Sequence, residues 1–412
     1  MKSDVYFIRI DSTDIEKRES ALKRLIDTAN PFSNYKDGEF IPVKVTIGDS
    51  PCVYHLQPQL VKLIISAVKK EGAKPFLFDT SVIYKGQRQN AVDHLNLAQS
   101  KGFGHSKAGA PFIIADGIFG QDGKEWALNS PNIKKIRIPS FIGLLDSLLV
   151  LSHVTGHIVS GYAGAIKNVA MGMSCRATKQ VQHSSLKPSI IEKNCTACGC
   201  CMAICPAGAI SFKNKKIAFG DNLLSPVIGD FRSPSRFDLR SKSGGGLGKI
   251  LYTFLCCKKS PADNNRDKKQ SSQTGFINQE LCVGCGECLC ACKFNAIFIN
   301  WHEDPNLFCR RMAETADFIL SKFEKKIFLN FAFDITQECD CISTKDEKMI
   351  SGDLGILASN DILSIDKATA DLVNKNAKSD FLNRTRNTYT EMFEYAAKTG
   401  LGNLEYNLIE IS

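Results

Sequence analysis

Cys195-Thr196-Ala197-Cys198-Gly199-Cys200-Cys201-Met202-Ala203-Ile204-Cys205-Pro206 and, further on, Cys282-Val283-Gly284-Cys285-Gly286-Glu287-Cys288-Leu289-Cys290-Ala291-Cys292 organise this chain of 412 residues. Each stretch contains cysteines at C-x2-C-x2-C-x3-C spacing. Three thiols on one tight loop reach three irons of a 4Fe–4S cubane, and the fourth, a helical turn later, points to the other cubane. The spacing assigns Cys195, Cys198, Cys201 and Cys292 to one cluster and Cys282, Cys285, Cys288 and Cys205 to a second. Both runs continue into small apolar residues, Gly208-Ala209-Ile210 and Asn295-Ala296-Ile297, suited to packing beside a cluster and entering a strand. Two structural zinc sites are the alternative, but zinc usually takes two well-separated C-x2-C pairs.

Composition frames the rest. A hydrophobic content of 43% supports a sizeable core, and the length allows two or three domains. Seventeen cysteines in a small secreted chain would suggest disulfides. Here eight are taken as cluster ligands, and Met1-Lys2-Ser3-Asp4-Val5 opens no apolar signal run. Nothing reaches the roughly 20 apolar residues of a membrane span. The expectation is a cytoplasmic protein of a low-oxygen setting. Residues 221–275 carry ten Lys/Arg against five Asp, and so about five of the net +9, and include Gly244-Gly245-Gly246. They read as a flexible basic insertion, with an apolar island at 247–257 ending in Cys256 and Cys257. Because no stretch interleaves aromatic with basic residues along a groove, nucleic acid is not expected as a partner.

Around the cysteine runs the pattern is α/β. Strands are expected at 5–10, 40–47 and 75–79, with helices over 13–29 and 58–71 between them, the spacing of βαβ units and a parallel sheet. A helix over 90–101, a strand over 111–117 and an apolar run at 144–151 follow. Beyond the cysteine runs come a helix at 308–324, strands at 326–333 and 353–359, and helices at 362–374, N-capped by Asp361, and 388–398. The fold expected is a mainly parallel-sheet α/β domain, residues 1–187 and 303–412, with an α+β two-cluster module inserted at 188–302.

Ligands of open α/β sheets gather at the carboxyl ends of strands. Asp79, Arg88 and Asp116 lie just past such ends; capping and turn chemistry is the alternative and is favoured for Asp116. A second dense stretch runs Ser152-His153-Val154-Thr155-Gly156-His157, Gly161-Tyr162-Ala163-Gly164-Ala165-Ile166-Lys167-Asn168, and Met171-Gly172-Met173-Ser174-Cys175. His153, His157, Lys167 and Arg88 are the candidate catalytic groups. Gly156, Gly161, Gly164 and Asn168 are the candidate cofactor-binding positions, with helix-start amides near Gly164 available to an anion. Cys339-Asp340-Cys341 presents two thiols on one side of an extended segment. With Cys175 they would make a three-thiolate site with an open position, a third cluster or catalytic metal; buried free thiols or a redox disulfide are the other readings.

The cysteine runs resemble the ligand runs of bacterial two-cluster ferredoxins. The chain as a whole resembles the family catalogued as domain of unknown function 362, in the form with a ferredoxin module inserted. The resemblance rests on Tyr84-x-Gly86-x-Arg88, Pro111 to Gly117, Ser152-His153-x2-Gly156-His157, Gly161-x2-Gly164-Ala165-x-Lys167-Asn168, Met171-Gly172, Cys339-Asp340-Cys341 and Asp353-x-Gly355-Ile356-x-Ala358-Ser359. It implies an α/β domain of unassigned activity with iron–sulfur clusters. Asp361-Ile362-Leu363-Ser364 departs from the family's usual Asp-Pro-Val-Ala, and the long insertion is unusual.

Three functions follow as expectations. The first is an oxidoreductase that relays low-potential electrons from a ferredoxin or flavoprotein through two 4Fe–4S clusters to an anionic small molecule in the α/β domain. The second is an electron-transfer subunit that docks a partner enzyme. The third is a non-redox metal-dependent enzyme, because the Gly/His/Lys run resembles that of nickel-cofactor lactate racemases, which would make His157 and Lys167 cofactor or acid–base residues.

Overall fold

The computed structural model describes residues 2–84, 86–183, 187–214, 272–298, 304–341, 345–376 and 388–412. Lys85, Cys256, Cys257 and nearly all of the basic stretch 221–275 lie outside the described residues. Two compact units are present, Met1–Lys187 with Val283–Gly286 and Ile299–Ser412, and Pro188–Cys282 with Glu287–Phe298.

The larger unit contains strands β1 (Ser3–Arg9), β2 (Phe40–Lys44), β3 (Lys74–Asp79), β4 (Phe112–Ile114), β5 (Lys124–Ala127), β6 (Lys135–Ile138), β7 (Ser147–His153), β8 (Thr155–His157) and β9 (Gly161–Ala163). Its helices in this part are α1 (Ile15–Ala29), α2 (Pro58–Lys70), α3 (Ala91–Ser100), α4 (His105–Ala108), α5 (Ala165–Ala170) and α6 (Arg176–His183). The smaller unit contributes β10 (Ser189–Ile190), α7 (Cys200–Ile204), β11 (Ile210–Asn214), β12 (Gln273–Ile277), α8 (Glu287–Ala291) and β13 (Ile297–Phe298). The chain returns to the larger unit with α9 (Pro305–Leu320), β14 (Lys325–Ala332), β15 (Gly355–Ser359), α10 (Ile362–Asn376), α11 (Thr388–Thr399) and β16 (Tyr406–Ile411).

Eight strands form the main sheet in the order β16-β1-β15-β14-β7-β2-β3-β4. β15 runs against both of its neighbours, and the other five of seven pairings are parallel. The α/β expectation therefore holds. Side chains alternate across the sheet. Leu148 and Val150 of β7 face one core with α5, α9, α10 and α11, whereas Leu149 and Leu151 face the other with α1, α2 and α3. This two-sided burial is why Leu148-Leu149-Val150-Leu151, within the expected run at 144–151, is continuously apolar. Asp361 caps α10 as expected, accepting from the amides of Leu363 and Ser364 at 2.9 Å. β16, which pairs with β1, and the β5–β6 hairpin are additions that the sequence reading did not contain.

From β2 the chain steps outward through β3 to β4; from β7 it steps the other way to β14. The order reverses between β2 and β7, so a crevice opens there at the carboxyl ends of the strands. After β14 a long loop crosses this end before β15 begins. Arg18 of α1, 1% exposed, holds it at both ends: it reaches Asp353 at 2.5 Å and Asp334 at 3.3 Å, with its guanidinium over the Phe333 ring.

The two cysteine stretches take the same backbone shape at a constant offset. Helix α7 starts at 200 and α8 at 287. Positive φ recurs at Ala197 and Gly284, at Gly199 and Gly286, and at Gly208 and Asn295. The amide of Ala209 donates to Cys205 Sγ at 3.3 Å, and that of Ala296 to Cys292 Sγ at 3.3 Å. β10 pairs with β13 and β11 with β12, around a small core of Ile210, Ile277, Cys288 and Ile297. Among the described residues of the chain, no helix is long and apolar enough to cross a membrane.

Removing the buried Arg18 charge leaves Asp334 and Asp353 facing each other without it. Arg18→Ala is expected to lose roughly 3 kcal/mol of stability, read from urea denaturation, with the 334–353 segment becoming the first site of proteolysis.

Candidate functional site

The crevice at the sheet's reversal is a cavity of about 80 Å3. Its floor is a buried charge cluster. Lys44, the last residue of β2, lies wholly inside the protein, and its Nζ is 3.0 Å from Asp79 at the end of β3. Arg88 approaches the same carboxylate at 3.5 Å. Burial opposes the ionised form of Asp79, but Lys44, His94 and Arg88 together outweigh it and hold the carboxyl well below its ordinary range. Asn168 of α5 bridges the reversal itself: its Oδ1 accepts from Lys44 at 2.8 Å and Thr46 at 3.0 Å, and its Nδ2 donates to the Leu151 carbonyl at 2.9 Å.

One wall carries Lys179, whose ammonium donates to the Thr80 hydroxyl at 2.6 Å and the Ser81 carbonyl at 2.5 Å. With these neutral acceptors, burial lowers its pKa to about 8. The roof is the loop after β14. His153 faces Asp340 Oδ1 through Nδ1 at 2.8 Å and the Phe333 carbonyl through Nε2 at 2.7 Å. Two acceptors demand two donors, so the ring is an imidazolium. Burial works against that charge, and Asp340 overcomes it, raising the pKa above the ordinary value.

This clamp presents Cys339 and Cys341 to the cavity. The Cys339 thiol hydrogen-bonds Cys341, and Lys167, Arg88 and the Tyr84 hydroxyl add to that bond against the cost of burial. These contacts hold Cys341 well below an ordinary thiol, whereas its bond to Cys341 and burial drive Cys339 well above. Tyr84 in turn accepts from Arg88 at 2.6 Å.

Residues 41–371 match the model of the family described as Domain of unknown function (DUF362). The chain belongs to the DUF362 family. No curated protein matches it. Among solved structures, the lactate racemase apoprotein from Thermoanaerobacterium thermosaccharolyticum matches with 14% identity and a TM-score of 0.29, over 48% of this chain and 42% of that one. The family match begins at β2 and ends within α10, so β1 and β16 lie beyond it.

Within the DUF362 match, the structure brings Arg88, His153, Lys167, Asn168, Cys339 and Cys341 to one cavity, with Gly164 at its edge. Their roles are not those expected. His153 has both nitrogens committed and positions the Cys339–Cys341 loop. His157 is not a lining residue: its Nδ1 accepts from the Ser160 amide at 3.0 Å and lies 2.9 Å from the Ser160 hydroxyl, which itself donates to the Tyr162 carbonyl, inside the β8–β9 hairpin, and its ring stacks on Phe308. Burial then lowers its pKa well below the usual value. Gly161, at φ +73°, makes the hairpin turn, and a Cβ at Gly156 would lie 2.2 Å from the Gln337 carbonyl oxygen, so both are packing positions. The helix-start amides after Gly164 already hold an anion, the protein's own Asp366, whose carboxylate accepts from Ala165 and Ile166 at 2.8 Å each.

Cys175 is not brought to Cys339 and Cys341. It is buried at the foot of α6, with Sγ 3.7 Å from the Asp122 carbonyl. Among the described residues, no three His, Cys, Asp or Glu side chains converge at the reach of a single metal ion. Asp116 is an internal anchor for the Ser81 amide and hydroxyl, as turn chemistry implied. Lys44 was missed because, in Pro42-Val43-Lys44-Val45, it reads as the solvent-facing member of an alternating strand.

In the smaller unit, Cys195, Cys198, Cys201 and Cys292 line one pocket of about 20 Å3. Burial and the proximity of the other three sulfurs push Cys201 up to about 11. The Gly275 amide donates to Cys195 Sγ at 3.3 Å, one of several N–H groups aimed at these sulfurs. Crowded thiols that repel each other's charge, with amide donors in place, suit a cationic iron core that takes all four as thiolates.

His153 sets a pH signature. Its raised folded pKa makes its contribution complete below about pH 6.5, and that contribution is lost as pH climbs through the folded value. His153→Gln is expected to cost about 1.5–3 kcal/mol near pH 6 and clearly less near pH 9, compared by urea denaturation at the two pH values.

Proposed function

We propose that the chain is an iron–sulfur oxidoreductase. In this reading residues 188–302 are a ferredoxin-like module with two 4Fe–4S clusters, one on Cys195, Cys198, Cys201 and Cys292 and the other on Cys282, Cys285, Cys288 and Cys205. A ferredoxin or flavoprotein supplies the electrons, and an anionic small molecule in the α/β cavity receives them. The observation that carries the reading is the pocket of the first cluster, where three thiols of one run meet the last thiol of the other. That exchange of the fourth ligand is the arrangement expected of a two-cluster module, and the backbone repeat of Ala197, Gly199 and Gly208 at Gly284, Gly286 and Asn295 supports it.

Each cluster, when bound, takes up and gives back one electron at low potential. The residues of the α/β cavity handle the charge. Lys167, Arg88 and Lys179 line it and stabilise negative charge that builds on a substrate as it is reduced. Lys179, with its pKa near 8, holds a proton at neutral pH and is able to deliver it. Lys44 and Asn168 keep the crevice open by filling its base with fixed polar contacts. A cytoplasmic, low-oxygen setting fits such exposed chemistry, since Cys198 lies at the surface.

Iron and acid-labile sulfide on anaerobically purified protein test the reading. About eight of each per chain are expected, falling by about four in Cys195→Ser/Cys198→Ser. Dithionite reduction should develop the EPR signal of interacting reduced cubanes. Stoichiometric zinc in place of iron would overturn the proposal.

A further inference from the structure

The cavity of the α/β unit holds a feature that electron relay alone does not use. Cys339 and Cys341 are two residues apart, and Asp340 and Cys341 lie in a turn. A two-residue separation spans at most about 7 Å when extended and less in a turn, which meets the roughly 4.4–6.8 Å between Cα atoms that a disulfide requires. Their side chains already hydrogen-bond each other. The loop that carries them is held by Arg18 at both ends and by His153 between. The Asp49 amide, donating to the Asp340 carbonyl at 2.9 Å, fixes the residue between the two cysteines. Cys175, the thiol that would complete a three-cysteine metal site, is anchored elsewhere.

We propose that Cys339 and Cys341 form a two-electron thiol–disulfide couple at the carboxyl end of the sheet, and that it acts on a small anionic disulfide. The assignment of its electron source rests on the iron–sulfur reading above. One-electron carriers in a pair match a couple that takes two. In reduction, the Cys339–Cys341 S–S bond accepts two electrons and one proton and breaks. Cys339 leaves as the thiol, beside Lys167, and Cys341 as the thiolate, held by Lys167, Arg88 and Tyr84. In the reverse half, Cys341 Sγ attacks one sulfur of the small disulfide and expels the other as a thiolate. Cys339 Sγ then displaces the second thiol from Cys341, re-forming the internal S–S bond, and its proton leaves with that product. Lysine and arginine around the pair favour an anionic substrate. Cys339 is buried, 5% exposed, and Cys341 half-buried, which restricts access to small molecules.

The test uses the full chain, purified anaerobically. Samples are equilibrated in oxidised and reduced dithiothreitol buffers, quenched in acid, alkylated with N-ethylmaleimide under denaturing conditions and digested. The peptide spanning 339–341 is expected to switch between a doubly alkylated form and an unalkylated form lighter by two hydrogens. The peptide of Cys309, a buried thiol in α9, stays alkylated throughout. Cys339→Ser and Cys341→Ser should each leave one sulfur that is always alkylated. A pair that is alkylated at every potential overturns the proposal. So does a pair that, in a parallel sample alkylated under native conditions, is protected without loss of hydrogen until a chelator is added, since that identifies a metal site.

The electron source is tested separately by replacing dithiothreitol with dithionite. Reduction of the pair in wild type but not in Cys195→Ser/Cys198→Ser supports the relay through the clusters. Cycling in dithiothreitol with equal dithionite response in both proteins leaves the couple standing and removes the relay. An iron count near eight with no cycling does the opposite.

Discussion

The Lys44–Asp79 pair is the constraint around which the larger unit is arranged. A charge at the end of a central strand, wholly out of water, costs several kcal/mol unless it is matched. Here the match comes from the neighbouring strand, and the remaining donors and acceptors are completed by Val45, Asn168, Arg88 and the helix that follows β9. Parallel strands in adjacent register bring Lys44 opposite Phe78, one residue before Asp79. The register of β2 against β3 and the polarity of the crevice are therefore one decision. A slip of one residue would turn Lys44 and Asp79 toward the hydrophobic core on the other face of the sheet.

Above this floor, positioning is layered. His153 is the last residue of β7 and holds Asp340; Asp340 separates the two thiols; Arg18 secures the loop from the far side of α1. Each of these groups spends its polar atoms on a neighbour in the protein. That is how a loop, ordinarily the least rigid part of an α/β fold, comes to hold reactive groups at fixed separations.

The sequence made the sheet legible because its strands are buried on both faces and its connecting helices are amphipathic at the right length. Leu149 and Leu151 read as part of a buried apolar run, strand or short helix, before any partner is known. The candidate site was legible in membership more than in role. Cys339 and Cys341 were readable as a same-side pair from their spacing. His157 and Gly164, drawn from the same glycine-rich stretch, turned out to serve the hairpin and the cap. Nothing local distinguishes a histidine that accepts from Ser160 from one that meets a ligand, and the partner of the α5 amides, Asp366, lies two hundred residues away. The burial of Lys44 is equally non-local, since only the pairing of β2 with β3 and β7 takes it out of water.

The interleaving of the two cysteine stretches bears on how the chain is made. Cys195, Cys198 and Cys201 emerge from the ribosome together, but the fourth thiol of their pocket is Cys292. At about 5–20 residues per second, translation leaves the first three waiting for on the order of 5–20 s while a long hydrophilic stretch is added. During that interval the nascent chain displays an incomplete thiol set to whatever metal or oxidant is present. The pocket is therefore incomplete until residue 292 has been made, and a chain truncated between 201 and 292 keeps Cys195, Cys198 and Cys201 but lacks the fourth thiol that lines it.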